Sequence, residues 1–277
     1  MSARKLLLGL VTLSTPLTAA DFLEPYEHSH FSGNGTPVIH TFGIEPALTG
    51  RDLFLDYTYV DGDGGSEQEI ELELEWAFTR RLGIIVEVPY IFENETGGPS
   101  ASGIGDLALV PRALLIDSDQ FLLTGQIETV VPTGSSTFGG ETAIAPGIAT
   151  WNDLGNWFAL NTQVGVEHVF DEDSTEFFIG LGLVKSFGDR PDLHTDHTGH
   201  DHAHQHPTTA GLINLHLELN GSTPLNGEEQ GDINLDGLIG ISYGLTELTD
   251  IRLAYQFPIT SPKEFDHAIT SGLIWHF

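Results

Sequence analysis

Two groups of residues in this chain have the types and spacing to do chemistry. The first is DLHTDHTGHDHAHQH at 192–206, where His194, His197, His200, His202, His204 and His206 stand among Asp192, Asp196 and Asp201. Neutral imidazole nitrogens and carboxylate oxygens suit zinc, nickel or copper(II). Cysteine is absent and Met1 is the only methionine, which argues against copper(I) and its preference for sulfur. Gaps of two and three residues in a glycine-containing tract fit several exchanging sites instead of one rigid tetrahedron. The tract therefore reads as a capture or buffering segment, weakening as pH falls through the histidine pKa of ~6.5; the plainer alternative is a solvated polar linker. The second group is EQEIELELEWAF at 67–78, where Glu67, Glu69, Glu71, Glu73 and Glu75 alternate with apolar residues.

The glutamates need an element that puts all of them on one side. A 3.6-residue period would scatter them around a helix, whereas a strand places them on one face at ~7 Å intervals. The same alternation recurs at 51–60, 82–92, 103–116, 121–131, 142–151, 157–169, 175–187, 209–219, 231–243, 248–258 and 267–277. That makes twelve candidate strands. Most exceed the ~5–6 residues usual in soluble sheets and reach the ~9–11 that a tilted membrane strand requires. Connections alternate short (TRRL, DSD, NDLGN, GLTEL) and long, and aromatic residues including Trp76, Trp151, Trp157, Tyr255 and Phe257 fall near strand ends, as an aromatic girdle would place them. The expected fold is all-β: a transmembrane antiparallel β-barrel of about twelve strands, closed so that no sheet edge meets lipid.

Three segments follow. Residues 1–20 put Arg4 and Lys5 ahead of an apolar run and end on small residues, the pattern of a signal peptide. Residues 21–50 lack a clean period and read as an irregular N-terminal arm, most simply a flexible lead-in on the periplasmic side; Glu27, His28 and His30 are candidate extra ligands for the metal tract. Residues 51–277 form the barrel, with 192–206 as a loop.

The formal net charge is −30, and loss of Arg4 and Lys5 leaves 8 basic residues against 40 acidic ones, or −32. Such a charge repels nucleic acid and attracts cations, so nucleic acid is set aside as a partner. With the Leu and Ile faces toward lipid, the lumen receives Asp52, Asp56, Glu69, Glu71, Glu73, Glu75, Glu128, His216 and Glu218, offset in the strands by Arg112 and Arg252. A water-filled bore of that composition favours cations; the alternative is an acidic interior closed by its own hydrogen bonds.

The chain ends SGLIWHF with Ile269, Leu273, Trp275 and Phe277 in one phase, and this resembles the terminal β-signal by which bacterial outer-membrane barrels are recognised for assembly. GIGDLALVPRALL at 103–115 and VVPTG at 130–134 resemble segments of the outer-membrane transporter family named for the phenol meta-cleavage (MetA) pathway, over roughly 50–277. That resemblance implies a barrel that passes small apolar or aromatic compounds, and it supplies no site residues. The histidine tract departs from it.

No enzyme is expected. The chain has no nucleophile-elbow serine and no HExxH, and His216 with Glu218 reads as hydrogen bonding in the lumen. DINLDG at 232–237 copies the start of a calcium loop, but Tyr243 occupies the twelfth position, where a bidentate Glu belongs. The preferred reading is an outer-membrane channel or transporter for divalent transition-metal cations. The alternatives are passage of apolar compounds and a non-conducting metal-binding protein. No cofactor is required; zinc, nickel or copper(II) would be bound ions. The expected partners are outer-membrane lipid, the barrel-assembly machinery and divalent metal ions, with a periplasmic metal carrier as a candidate. Because such a barrel ends its last strand in the periplasm, counting back puts the histidine tract at a periplasmic mouth beside His28 and His30.

Overall fold

A computed structural model describes residues 18–26, 30–189, 208–227, 229–261, 263 and 265–277. Most of residues 1–20, read from sequence as a signal peptide, together with Glu27, His28 and the whole histidine tract, lie outside the described residues. One turn of 3-10 helix, Asp21–Leu23, precedes the strands. These are β1 (Arg51–Gly62), β2 (Gly65–Ala77), β3 (Leu82–Glu95), β4 (Ser100–Ile104), β5 (Leu107–Asp117), β6 (Phe121–Val131), β7 (Ala143–Gly155), β8 (Phe158–Val169), β9 (Ser174–Phe187), β10 (Ile213–Pro224), β11 (Asn234–Thr246), β12 (Thr249–Pro258) and β13 (His267–His276).

Every neighbouring pair is antiparallel. β1 pairs with β13 and β2 with β3, which closes the sheet. β4 and β5 lie end to end along β3, so the wall is a twelve-stranded barrel. The continuous strand expected over 103–116 is interrupted at Gly105 and Asp106, and the polar loop expected over 93–102 shrinks to 96–99 because β3 and β4 extend into it. Apart from β4, the strands run 10 to 14 residues, long enough to cross a bilayer with tilt.

Alternation decides which atoms meet lipid. Leu55, Leu72, Leu217, Ile239 and Leu253 face outward and are exposed, while Asp52, Asp56, Glu75, Arg112 and Glu218 on the opposite face are buried. Tyr59 and Phe92 are both aligned with Gln68, and Tyr59 and Tyr255 with Ile269, so these rings share one outward level near one end of the wall. Trp76 and Trp275 mark the opposite end, beside Arg51 and Leu53. An apolar outside on a closed β-barrel places the chain in a bacterial outer membrane.

Two aromatic assignments need correcting. Trp151 shares its phase along β7 with Ala143, Ala145 and Ala149, all inward, and is 1% exposed inside the barrel. Trp157 stands in the β7–β8 turn at φ 60° next to Asn156 at φ 52°, so β8 starts one residue later than expected. Position near a strand end had suggested the girdle for both, but for Trp151 parity overrides position.

We call the rim where β1 begins and β13 ends the near rim; there the Phe277 N–H donates to the Arg51 carbonyl at 2.9 Å. Connections at 78–81, 118–120, 156–157, 188–212 and 247–248 share it, while those at 63–64, 96–99, 132–142, 170–173, 225–233 and 259–266 lie at the far rim. The tract at 192–206 is thus joined to the barrel at the near rim. The arm returns to that rim too, yet it does not remain outside. Ile39, Thr41, Ile44 and Ala47 are buried, and Val38, Ala47 and Leu48 pack with Leu114, Leu122, Ala149, Trp151 and Ala159 in a small apolar core within the lumen. Pro25, Pro37 and Pro46, together with the lack of alternation, keep this segment out of the sheet.

Trp151→Ala should therefore lower stability by about 3–5 kcal/mol, the range for a buried aromatic truncated to Ala. Trp76→Ala, on the lipid face, should lower it less. Denaturant unfolding in detergent micelles checks both, and equal losses would contradict the inward placement of Trp151.

Candidate functional site: a plugged lumen

An irregular segment inside a barrel must find partners for its own N–H and C=O groups outside any strand ladder. Inward side chains of the wall do so here. Glu218 on β10 accepts the Phe42 N–H on one oxygen and the Gly43 N–H on the other, both at 2.9 Å. Gln163 on β8 accepts the Glu45 N–H at 2.9 Å, and Glu75 on β2 accepts the Gly50 N–H at 3.0 Å. The arm's carbonyls are met by donors: Arg252 reaches Thr41 at 3.0 Å, Arg112 reaches Pro46, and the Thr124 hydroxyl reaches Ala47.

Both inward-facing strand arginines are also paired. Arg252 forms a two-pronged contact with Asp56, using Nε at 2.9 Å and Nη2, and its guanidinium lies between the Phe42 and Phe54 rings, 5.3 and 4.9 Å from their centroids. Arg112 adds an ion pair with Glu45 of the arm at 3.4 Å. Of the residues read from sequence as pathway lining, Asp56, Glu75, Arg112, Glu218 and Arg252 therefore hold the arm or each other. His216 sits edge-on to Phe42, with ring centroids 5.1 Å apart.

Glycine makes room for this plug. A Cβ on Gly180 or Gly182 of β9 would come within 2.8 or 2.9 Å of Ile44, and one on Gly240 of β11 within 2.6 Å of Phe42. Glycine inside a strand marks close approach of another chain segment, so these three inward positions were a signal available in the sequence. Glu45, His40, Gln163 and Thr124 carried no comparable signal.

The other carboxylates form a separate group. Register places Glu73 opposite Glu87, Glu67 opposite Glu93, Glu71 opposite Asp56, and Glu167 opposite Glu176. Like charges facing each other across a sheet are destabilising. Among the described residues, Glu69, Glu71, Glu73, Glu87 and Glu128 form no ion pair with a cation. Beside the arm a cavity of about 180 Å³ has Gly43 in its lining along with Gln163, Asn220, Asp236, Lys263 and Phe178. Asp236, the third oxygen residue of the calcium-like DINLDG, is committed to Asn220 at 3.2 Å and Gln256 at 2.8 Å.

At the near rim His276 bonds Asp52 at 2.8 Å, and His40 of the arm lies between Asp52 at 3.4 Å and Glu75 at 3.6 Å. His30 meets His276 edge-on at 4.5 Å between centroids. One group has the outline of a catalytic triad: His216 Nε2 is 3.1 Å from Ser242 Oγ and its Nδ1 is 3.9 Å from Glu218. Both Glu218 oxygens, however, are occupied by the arm, and Ser242 is buried. A nucleophile needs a base held by a free partner and access to substrate.

At the far rim Asp106, in the break between β4 and β5, accepts the N–H groups of Thr133, Gly134, Gly140 and Glu141 at 2.7 to 2.8 Å. The slight burial of its carboxyl works to raise the pKa, and these donors, led by Gly134, outweigh it and hold the group below its ordinary value.

No protein-family model matches the chain, and no curated protein sequence does. Solved structures share the fold at low identity. An outer-membrane channel from Pseudomonas putida F1 superposes with a TM-score of 0.58 at 11% identity, covering 86% of this chain and 100% of that one. The KdgM porin, solved in complex with disordered oligogalacturonate, gives 0.51 at 11% identity over 81% of this chain and 99% of its own. The NanC porin gives 0.51 at 9% identity over 81% and 98%.

Two predictions follow from these contacts. Gly182→Leu should displace Ile44 and expel the arm, so limited proteolysis should cut within 38–50 in the variant and spare the parent. Because the Asp106 pKa is lowered by folding, its contribution is complete above the unfolded value of ~3.9 and is lost as pH falls through the lower folded value. Amide protection of the 132–142 loop, corrected for intrinsic exchange, should fade over that acidic window, and in Asp106→Asn it should already be weak at neutral pH.

Proposed function

We propose that the chain is a gated outer-membrane channel for small cations, with the arm as its plug and the unpaired carboxylates as its selective lining. The observation that carries this reading is the set of like-charged residues held face to face in the lumen, above all Glu73 with Glu87 and Glu67 with Glu93. A wall built only for stability would not retain them, since opposed charges weaken a sheet. A cation in transit relieves that repulsion, and rings of acidic side chains favour cations through their local field.

Divalent transition metals are the cargo that fits the histidine tract, which would concentrate them at the near rim, the rim we assign to the periplasm. Small apolar cargo, which the resemblance to the MetA-pathway family would imply, fits a carboxylate-lined bore poorly. Opening requires release of the arm. Its anchors are side-chain hydrogen bonds, two arginine contacts and the small apolar core around Trp151, with a backbone bond to the sheet only at Gly50, so it can leave with the strand ladders intact.

Planar-bilayer recording checks the proposal. The parent should show infrequent openings, and Glu218→Ala, which removes the acceptor for Phe42 and Gly43, should raise open probability severalfold. Glu73→Gln with Glu87→Gln should lower the cation-to-anion permeability ratio read from reversal potentials. Absence of cation-selective current in both the parent and Glu218→Ala would overturn the channel and leave a permanently closed barrel. Replacing the six tract histidines with Asn should reduce cellular zinc sensitivity; an unchanged response would remove the metal cargo and leave the channel standing.

A further inference from the structure

The near-rim cluster has a chemistry that plug anchoring does not require. One nitrogen of His40 and one oxygen each of Asp52 and Glu75 lie within 4.8 Å of one another. Asp52 and Glu75 are directly opposite across β1 and β2, and His40 is brought to them by the arm. Each carboxylate has one oxygen tied down and one turned to the imidazole. Asp52 Oδ1 is held by His276 at 2.8 Å while Oδ2 faces His40 Nε2, the other ring nitrogen from the one that faces Glu75, at 3.4 Å. Glu75 Oε2 is held by the Gly50 N–H at 3.0 Å while Oε1 faces His40 Nδ1 at 3.6 Å. The Glu75 side chain is fully buried, and neither its Oε1 nor His40 Nδ1 has a hydrogen-bond partner.

We propose that His40, Asp52 and Glu75 form a binding site for one divalent transition-metal ion, with zinc the best fit, which pins the arm to the barrel wall. Ligand atoms bonded to a tetrahedral zinc at ~2.0–2.2 Å stand about 3.3–3.6 Å apart; one imidazole nitrogen can ligate, and the three ligand atoms, all within 4.8 Å of one another, would draw together around the ion. Magnesium and calcium call for more oxygens and no nitrogen. Three protein ligands leave a fourth position for water. The surroundings also resemble the outer support of a metal centre: His276, which orients Asp52, is itself 3.5 Å from Asp250, and Asp250 accepts the Thr209 hydroxyl at 2.8 Å. The competing account is an imidazolium of His40 shared between two carboxylates with no metal.

This site is separate from the histidine tract and stands whether or not the barrel conducts. Its test removes the tract's contribution: in the full-length chain, His194, His197, His200, His202, His204 and His206 are all replaced by Asn. Titration of the folded barrel with zinc should show one saturable equivalent, and cobalt(II) should give the intense visible absorption of a four-coordinate site. Glu75→Gln and His40→Asn in that background should each weaken zinc binding at least tenfold. His276→Gln, which touches only the supporting residues, should weaken it roughly 10–100-fold. Zinc should also protect residues 38–50 from protease. Folding of every variant is checked by heat-modifiable migration and circular dichroism. If the folded tract-free barrel binds neither metal, or binds zinc unchanged after Glu75→Gln, the site does not exist and the imidazolium account stands.

Discussion

The arm's backbone inside the lumen is the constraint on which the rest depends. A strand in the wall satisfies its amides through its neighbours, but between Val38, which donates to the His30 carbonyl, and Gly50, whose carbonyl accepts from Ala77 of β2, the arm has no such ladder and lies within the barrel. Each buried group left unpaired would cost about 1–3 kcal/mol, so the wall presents donors and acceptors along the arm's path. Glu218, Gln163 and Glu75 take up N–H groups, and Arg252, Arg112 and Thr124 take up carbonyls. Proline at 37 and 46 removes two N–H groups that would otherwise need acceptors. The inward face is thus written as a template for one particular path of chain.

That template explains what could be read in the residues and what could not. Period-two alternation fixes the strands and their inward face, because a one-residue slip would turn Glu69 to Glu75 toward lipid. The wall and the acidic lumen follow from it. Alternation is silent on what fills the bore, since an inward Glu218 looks the same whether it meets water, an ion or a backbone amide. Trp151 shows the limit clearly: its place near a strand end suggested the girdle, while its parity with the alanines of β7 turned it inward. Residues 21–50 show a second limit. Without a repeat there is no element to assign, and their conformation is dictated by side chains far away in sequence, such as Arg252 against Thr41.

Close packing of the plug has its own local requirements. Ile44 and Phe42 can lie against β9 and β11 only because Gly180, Gly182 and Gly240 carry no side chain there. Glycine weakens a strand, so its presence at inward positions opposite the arm indicates that the arm's fit outweighs the loss. The far rim is organised by a different device, a single carboxylate at Asp106 gathering four amides of one loop. The two ends of the bore are therefore set by independent interactions, and either can change without the other.

The inward polar residues also separate by height. Along β2 from the near rim, Glu75 holds the arm and Glu73, Glu71, Glu69 and Glu67 follow; along β6, Thr124 holds the arm and Glu128 follows; along β8, Gln163 precedes Glu167. Residues that hold the arm come first and like-charged carboxylates come after. Repulsion among those carboxylates cannot be relieved by the arm, which supplies Glu45 as its only charge facing Arg112 and brings no lysine or arginine between 38 and 50. The destabilising group thus lies directly beyond the removable one. On the proposed gating, withdrawal of the plug would open the acidic stretch to solvent and its counter-ions, so the electrostatic strain in the wall would favour the open state while the hydrogen bonds to the arm favour the closed one. Under that proposal a barrel set between two opposing terms would be switched by whatever shifts either of them by a few kcal/mol, and His40, which joins the arm to Asp52 and Glu75, sits where such a shift would act.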